Sequence, residues 1–300
     1  MGEYKRILTV QDISCVGQCS LTAALPILSA CGIETAVLPS AVLSTHTGCF
    51  EGYTFRDLGD DMAGIAEHWE REGIRFDAVY SGYLGSAAQA SLVRDISDRL
   101  LREGGVRIVD PAVADNGRLY SGITPELAES MRGLVADADY VLPNITEAAI
   151  LCGIEYRERY GEDYIHTLTD ALLELGAKNV VLTGVSYDPG HIGAVAALTG
   201  IGFRDDEIGF YMYDAESGEF SRYFNEKLPM RCHGTGDIFA SVFSGLLLRG
   251  FAPEECASAA DEFVLHCIEN TVGDEEHFYG VKFEPLLGEI TDRVRGLDRD

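Results

Sequence analysis

The chain has 300 residues, of which 46% are apolar, and it carries a formal net charge of −26. Its length and apolar content suit one large α/β domain that spans residues 1–300. The strong negative charge argues against nucleic acid and anionic membranes as partners, because both would repel an acidic surface.

The N-terminus and the cysteines indicate a reducing compartment. No long apolar segment follows Met1, so we expect neither a signal peptide nor a membrane span. The eight cysteines are scattered and form no C-x-x-C pair, which disfavours a structural zinc site and is typical of reduced thiols. The sequence therefore predicts a cytoplasmic protein.

Short apolar runs alternate with helical patterns through the first two thirds of the chain. This order predicts a mostly parallel central sheet with helices on both faces, a three-layer α/β/α sandwich. Pro26 should kink the first helix or delay its start. The predicted strands are 7–10, 35–38, 78–81, 106–109, 140–142 and 180–183, and the predicted helices lie near 20–31, 57–72, 86–103, 125–136, 146–152 and 164–175.

The pattern changes after about residue 190 and becomes rich in strands. Strands are predicted at 193–198 and 208–213, and residues 214–218 have the composition of a hairpin turn. Helices near 235–249, 253–270 and 284–295 complete the chain. Ligands of open α/β sheets bind beyond the carboxyl ends of the strands, so chemistry is expected in the segments that follow strands.

The turn Gly234-Thr235-Gly236-Asp237 carries the strongest functional signal. Its two glycines allow the backbone to turn tightly and to approach a ligand, and the apolar residues behind it have helical spacing. A helix that begins at such a turn presents unpaired N–H groups to a phosphate. A carboxylate beside that phosphate can take a proton from a hydroxyl, which favours a small-molecule kinase. Taken alone, however, Asp237 fits an ordinary helix cap better, so other segments decide.

Asp110 follows the strand predicted at 106–109, where one carboxylate could hold a hydrated Mg²⁺. The polar, glycine-containing stretch behind it, 111–120, suits a mobile loop over a nucleotide. A local turn is the structural alternative. None of the four lysines follows a glycine, so the P-loop of the commonest nucleotide-binding class is absent.

Two further strand ends carry polar residues on the same side of the predicted sheet. Asn144 and Glu147 have the spacing of a capping box, and they would also face the crevice near Asp110, where they could order Mg²⁺ and its water shell. The capping and the binding interpretations are compatible. Thr183 places a hydroxyl at the end of the strand at 180–183, which suits a nucleotide phosphate.

The N-terminal third offers candidates for a substrate pocket. Gln11 and Asp12 follow the first strand, and residues 44–47 form a dense polar cluster that suits a neutral, hydrogen-bonding substrate. His46 within it is as easily structural as ligand-binding. Tyr83 ends the third strand, where it could stack on an aromatic ring or simply lie at the rim of the core.

In this order, the segments resemble the ribokinase-like superfamily and, within it, the pyridoxal/pyridoxamine kinases of vitamin B6 salvage. The resemblance covers nearly the whole chain. The motifs that carry it are Gln11-Asp12, Ser44-Thr45-His46-Thr47-Gly48, Ser81-Gly82-Tyr83, Asp110-Pro111, Pro143-Asn144-x-x-Glu147, Leu182-Thr183-Gly184 and Gly234-Thr235-Gly236-Asp237.

The resemblance implies ATP-dependent phosphorylation of the 5′-hydroxymethyl group of a B6 vitamer by a ribokinase-like fold. Such kinases use ATP and Mg²⁺ and are usually homodimers, and a requirement for a monovalent cation stays open. Asp237 would be the base, and Gly234, Thr235 and Gly236 would form the anion hole.

The other site residues implied by the resemblance lie around the nucleotide and the vitamer. Asp110 and Glu147 would organise Mg²⁺. The remaining nucleotide contacts would come from Asn144, Thr183, Asp115 and Tyr120. The vitamin pocket would be lined by Asp12, Thr47 and Tyr83, with His46 close by.

One departure from the family and several alternatives bear on the substrate. Asp12 stands where many pyridoxal kinases carry serine, and a carboxylate there could favour the cationic aminomethyl group of pyridoxamine. The closest alternative is a hydroxymethylpyrimidine kinase of thiamine synthesis. A sugar kinase of the same superfamily ranks third, because residues 34–57 look too short and too helical for a strand-built lid. A non-catalytic vitamin- or nucleotide-binding protein would have no need of Asp237.

Overall fold

The computed structural model describes residues 4–186, 207–230 and 232–297, and the strand predicted at 193–198 lies outside them. The strands in these residues are β1 (Arg6–Ser14), β2 (Glu34–Leu43), β3 (Phe55–Asp57), β4 (Phe76–Ser81), β5 (Leu101–Val109), β6 (Ala114–Asp115), β7 (Arg118–Leu119), β8 (Tyr140–Val141), β9 (Asn179–Val185), β10 (Glu207–Asp214) and β11 (Glu219–Glu226). The helices are α1 (Ser20–Ala30), α2 (Gly59–Arg71), α3 (Ala87–Leu100), α4 (Pro125–Ala136), α5 (Ile145–Cys152), α6 (Glu162–Leu175), α7 (Thr235–Arg249), α8 (Pro253–Glu269) and α9 (Leu287–Leu297).

Nine strands form one sheet in the order β11-β10-β9-β8-β5-β4-β1-β2-β3. The six strands from β9 to β2 are parallel to one another, whereas β3 and β10 run against their neighbours. The predicted hairpin at 214–218 joins β10 to β11, and the Gly218 N–H donates to the Asp214 carbonyl over 2.8 Å. The predicted α/β class and mostly parallel sheet are therefore confirmed.

Alternating residues of the strands bury their side chains on opposite faces of the sheet. Leu8 and Val79 pack in one apolar core with residues of α2 to α6, whereas Ile7, Ala78 and Tyr80 pack in the other with residues of α1, α7, α8 and α9. This alternation follows from the two-residue period of a strand. Helices thus cover both faces, and the strand ends stay free to form a site.

The structure differs from the predicted elements in several places. Residues 34–57, which looked helical, contain β2 and the short edge strand β3, so the polar cluster at 44–47 follows a strand. α1 begins at Ser20 despite Pro26, which lies within it, so its start is not delayed. α3 ends at Leu100 because β5 begins at the next residue. Among the described residues, no helix is both long and apolar enough to cross a membrane.

Candidate active site

The parallel strands end along one edge of the sheet, and the predicted site segments follow them there. At this edge α7 begins with the glycine turn. Gly234 is its N-cap residue, with a left-handed φ of 78°. A Cβ atom at Gly234 would lie 1.9 Å from the carbonyl oxygen of Gln18, so only glycine fits this close approach. The first N–H groups of α7, from Thr235 onward, lack intrahelical acceptors, a geometry that suits an anion.

Asp237 lies in the first turn of α7 and is half-buried. Its carboxylate accepts a hydrogen bond from the Ser20 backbone N–H, and Ser20 has a left-handed φ of 48° that is unusual outside glycine. Burial raises the pKa of Asp237 to about 7; the Ser20 bond opposes this shift, and the charge of Asp12 adds to it. A carboxyl group with this pKa is well matched to accepting a proton near neutral pH.

Asp110 follows β5 and is 7% exposed. Its Oδ1 accepts a hydrogen bond from the Ala112 N–H over 3.2 Å. Burial raises the pKa of Asp110 strongly, and the charges of Glu147 and Asp237 raise it further. The structure therefore brings together three predicted carboxylates, which come from the end of β5 and from the first turns of α5 and α7.

Glu147 confirms the predicted capping box of α5. Its Oε2 accepts from the Asn144 N–H over 2.9 Å, and the Asn144 side chain accepts from the Glu147 N–H over 2.9 Å. Its Oε1 accepts from the N–H groups of Val113 and Ala114 over 3.0 and 3.4 Å. Burial raises the pKa of Glu147 to about 7 although these backbone bonds oppose the shift. Glu147 thus ties α5 to the segment that follows Asp110.

That segment is a two-stranded hairpin, β6–β7, rather than an unstructured loop. Asn116 and Gly117 form its turn with φ values of 50° and 74°, as a type I′ turn requires. The Asn144 Nδ2 donates to the Ala114 carbonyl over 2.8 Å, and the Gly117 N–H donates to Thr146 Oγ1 over 3.0 Å. The N-terminal residues of α5 therefore hold the hairpin at both its base and its tip.

Asp115 lies in this hairpin and Tyr120 directly after it, and their place beside the nucleotide stays a prediction. Burial of the Tyr120 hydroxyl raises its pKa, and the charges of Glu147, Asp115 and Asp110 raise it further. Thr183 lies inside β9, which continues to Val185, so its prediction as a strand end was wrong. It nevertheless reaches the same edge, because it forms an isolated parallel bridge with Asn144.

Asp12 lies within β1, where the pairing with β2 is irregular between Gln11 and Ile13. Such irregularities often redirect a side chain beside an active site. Asp12 is 3% exposed and accepts a hydrogen bond from Ser14 Oγ over 2.7 Å. Burial raises its pKa. Because the charge of Asp12 raises the pKa of Asp237, Asp12 in β1 lies near the α7 turn.

Tyr83 and the 44–47 segment complete the substrate side. Burial raises the pKa of Tyr83 to about 12, with Asp12 as the next contributor, so the two predicted pocket residues are neighbours. Thr47 is half-buried in the loop after β2. His46 is 7% exposed; its Nδ1 accepts from the Gly48 N–H over 3.0 Å, and its Nε2 lies 2.8 Å from the Tyr279 carbonyl. These contacts favour a structural role for His46.

Sequence reasoning missed three residues of this edge. Ser20 holds Asp237 through its backbone, Thr146 holds the hairpin tip, and His233 lies directly before the glycine turn with its ring centre 5.2 Å from that of His46. The position of His233 next to Gly234 was a usable signal. The contacts of Ser20 and Thr146 link distant parts of the chain, so no local sequence pattern predicts them.

Known proteins are similar to this chain in sequence and fold. The phosphomethylpyrimidine kinase family matches residues 66–281. A pyridoxal kinase of Dictyostelium discoideum is 26% identical over 252 residues, which cover 81% of this chain and 78% of the relative. A Bacteroides thetaiotaomicron protein described as a phosphomethylpyrimidine kinase and crystallised with pyridoxal is 31% identical, with a TM-score of 0.87 and 96% of each chain covered.

A further solved structure, the pyridoxal kinase of Lactobacillus plantarum, is 31% identical with a TM-score of 0.84 over 97% of this chain and 98% of that one. The agreement extends over nearly the full length, and it confirms the resemblance inferred from the motifs. The chain belongs to the phosphomethylpyrimidine kinase family, in the pyridoxal kinase branch of the ribokinase-like superfamily.

Proposed function

We propose that this protein transfers the γ-phosphoryl group of ATP to the 5′-hydroxymethyl group of a B6 vitamer. The observation that carries the proposal is the placement of Asp237, with a pKa near neutrality, in the same helical turn as the first N–H groups of α7. Pyridoxal kinase relatives and the pyridoxal-containing neighbour support the choice of substrate.

In the proposed reaction, each group at the edge of the sheet has one task. Asp237 accepts the proton of the substrate hydroxyl, whose oxygen then attacks the γ-phosphorus. The N–H groups that follow Gly234 stabilise charge on the transferring group, because they point at it before the reaction begins. The hairpin β6–β7 covers the nucleotide phosphates, with Asp115, Tyr120, Asn144 and Thr183 around them.

The carboxylates also fit a magnesium ion, which would neutralise charge on the phosphates. Asp110 is a buried carboxylate under the repulsion of two others, and a divalent cation relieves such repulsion. Glu147 already accepts three backbone hydrogen bonds, so it fits an ion held through water better than a direct ligand. In the described segments, no three His, Cys, Asp or Glu side chains are grouped so that they could hold a metal ion by themselves.

We further propose that the kinase acts in the cytoplasm as a homodimer of one-domain subunits. The support is the family resemblance, together with the acidic composition and the scattered free cysteines. Gel filtration with light scattering would measure the mass of the assembly in solution.

A substrate panel tests the proposed function. Pyridoxal, pyridoxine, pyridoxamine, hydroxymethylpyrimidine and ribose would each be incubated with ATP and Mg²⁺, and ADP release would be measured. We expect the highest kcat/KM with a B6 vitamer. A higher value with hydroxymethylpyrimidine would instead favour a thiamine-pathway kinase, in keeping with the description of the family. Turnover of ribose alone would refute the vitamer assignment.

Asp12 should influence which vitamer is preferred. Its carboxylate neighbours Tyr83, where we propose that the vitamer ring lies. A cationic aminomethyl group there would favour the ionised form of Asp12. We expect Asp12→Ser to lower kcat/KM for pyridoxamine by about 10-fold more than for pyridoxal, as loss of a charged hydrogen bond would. Equal kcat/KM ratios in the wild type and the variant would rule this role out.

A further inference from the structure

His233 lies where the substrate loop, the hairpin and the glycine turn meet. It directly precedes Gly234, and its ring centre is 5.2 Å from that of His46. A Cβ atom on Gly48 would lie 2.7 Å from its Nδ1, so the imidazole rests against the 44–48 loop. The charge of Asp115, on the hairpin, acts on the same ring. His233 is half-buried.

The two neighbouring histidines differ in how their ring nitrogens are used. Both nitrogens of His46 face backbone groups, Gly48 N–H and the Tyr279 carbonyl. The ring of His46 is therefore held as one neutral tautomer. His233 makes no hydrogen bond to any residue in 4–186, 207–230 or 232–297 through its ring. Within those residues, neither ring nitrogen of His233 therefore has a hydrogen-bond partner.

The carboxylates around the cleft favour a cation there. The side-chain charges that shift the pKa values of Asp110, Glu147 and Asp237 all come from other carboxylates. A nucleotide triphosphate adds further negative charge to this space. Mg²⁺ offsets part of it, and an imidazole that takes up a proton next to the phosphates would offset more.

We propose that His233 is a catalytic residue that donates a hydrogen bond, as imidazolium, to an oxygen of the γ-phosphoryl group during its transfer. The inference rests on the proposed kinase function. Asp237 takes the hydroxyl proton, the bond from phosphorus to the ADP oxygen breaks, and the bond to the substrate oxygen forms. His233 keeps its proton throughout, so its action adds no further proton to the balance.

Two groups, Asp115 and His46, lie beside the ring and influence its charge in the free protein. Burial lowers the pKa of His233, while Asp115 raises it. His46 lies on the other side; burial lowers its pKa, and its Nδ1 accepts from the Gly48 N–H. A bound phosphate would favour the protonated ring, so His233 should make ATP bind more tightly as pH falls from about 8 to about 6.

Affinity for ATP compared with ADP tests the proposal without any vitamer. Calorimetry with Mg²⁺ would measure both nucleotides with the wild type, His233→Gln and His233→Ala. We expect ATP affinity to fall by about 10-fold or more in both variants, as loss of a charged hydrogen bond predicts, with ADP affinity nearly unchanged. The pH dependence of the ATP–ADP difference should also disappear. His266→Gln is the matched control, because that imidazole pairs with Glu289 on the surface between α8 and α9.

Turnover with the best vitamer provides a second measurement. His233→Ala should lower kcat by about 10²-fold, the cost of removing one donor from a charge-stabilising site, while KM for the vitamer stays unchanged. Equal losses of ATP and ADP affinity, or no loss, would overturn the assignment. So would a change confined to the vitamer KM, since His233 would then contact the vitamer. If the wild type phosphorylates no vitamer, the proposed function fails, whereas the ATP–ADP comparison still decides the role of His233.

Discussion

Replacing Asp237 with asparagine should lower kcat by about 10²–10⁴-fold and change KM little, because the amide cannot accept the hydroxyl proton. In the wild type, kcat should rise with pH through about 7, as the Asp237 carboxyl loses its proton and becomes a competent base. If Asp237 causes this increase of kcat with pH, the asparagine variant should lack it. Initial rates of ADP formation, measured across this range with saturating vitamer and ATP, provide both comparisons.

The same substitution should leave the fold intact and stabilise it at higher pH. The pKa of Asp237 is about 7 in the folded protein and ordinarily 3.8, so between these values the fold holds a proton that the unfolded chain has lost. Stability from this group therefore falls as pH rises across that window. Asparagine has no proton to lose, so Tm of the variant should decline less between these pH values.

Asp139→Asn is the control for this experiment. Asp139 lies just before β8, at the opposite edge of the sheet, where its carboxylate accepts from the Arg107 N–H and from Lys178 Nζ, both over 2.7 Å. The kcat of Asp139→Asn should stay within about twofold of the wild type, because Asp139 lies outside the cleft. Wild-type-like turnover by Asp237→Asn would contradict the assignment of the base.

Gly234→Ala should abolish most activity by displacing the first N–H groups of α7. The new Cβ would lie 1.9 Å from the Gln18 carbonyl oxygen, a backbone atom that cannot move away without shifting the start of α1. A displacement of about 1 Å can cost about 10²-fold in rate, and we expect a loss of kcat of at least that size. The left-handed φ of 78° adds about 1–2 kcal/mol of strain to the destabilisation. Steady-state kinetics and thermal unfolding measure the two effects.

Gly250→Ala separates the effect of backbone strain from the effect of the clash with the Gln18 carbonyl oxygen. Gly250 ends the same helix with a left-handed φ of 93°, but nothing lies within 4 Å of a Cβ atom there. It should lose about 1–2 kcal/mol of stability and keep its kcat. If Gly234→Ala were no less active than Gly250→Ala, the glycine turn would not form the proposed anion hole.

The elements and motifs that depend on local chemistry could be predicted from the sequence. Strand ends followed by polar residues identified Asp110 and Asn144, and glycine spacing identified the α7 turn. The alternation of strands and helices was enough for the mostly parallel sheet. Asn116-Gly117 also carried a hairpin signal, since this dipeptide favours a type I′ turn. That signal was overlooked because the stretch was interpreted as a mobile loop.

The remainder depends on contacts between distant segments. β3 is three exposed residues whose only strong reason to be extended is pairing with the end of β2. The extent of β9 past Thr183 depends on its pairing with β10. The hold of Thr146 on the hairpin tip, and of Ser20 on Asp237, needs tertiary structure. Such partners lie up to about 200 residues apart, beyond the reach of periodicity or spacing.

The hydrogen bond from Ser20 to Asp237 has a consequence for biosynthesis. The proposed base comes from the last quarter of the chain, whereas the amide that orients it and the carbonyl that confines Gly234 come from the first tenth. A ribosome-bound fragment that has not yet exposed α7 has no site for phosphoryl transfer. The activity should therefore emerge only after α7 has left the ribosome and its first turn has packed against Gln18 and Ser20.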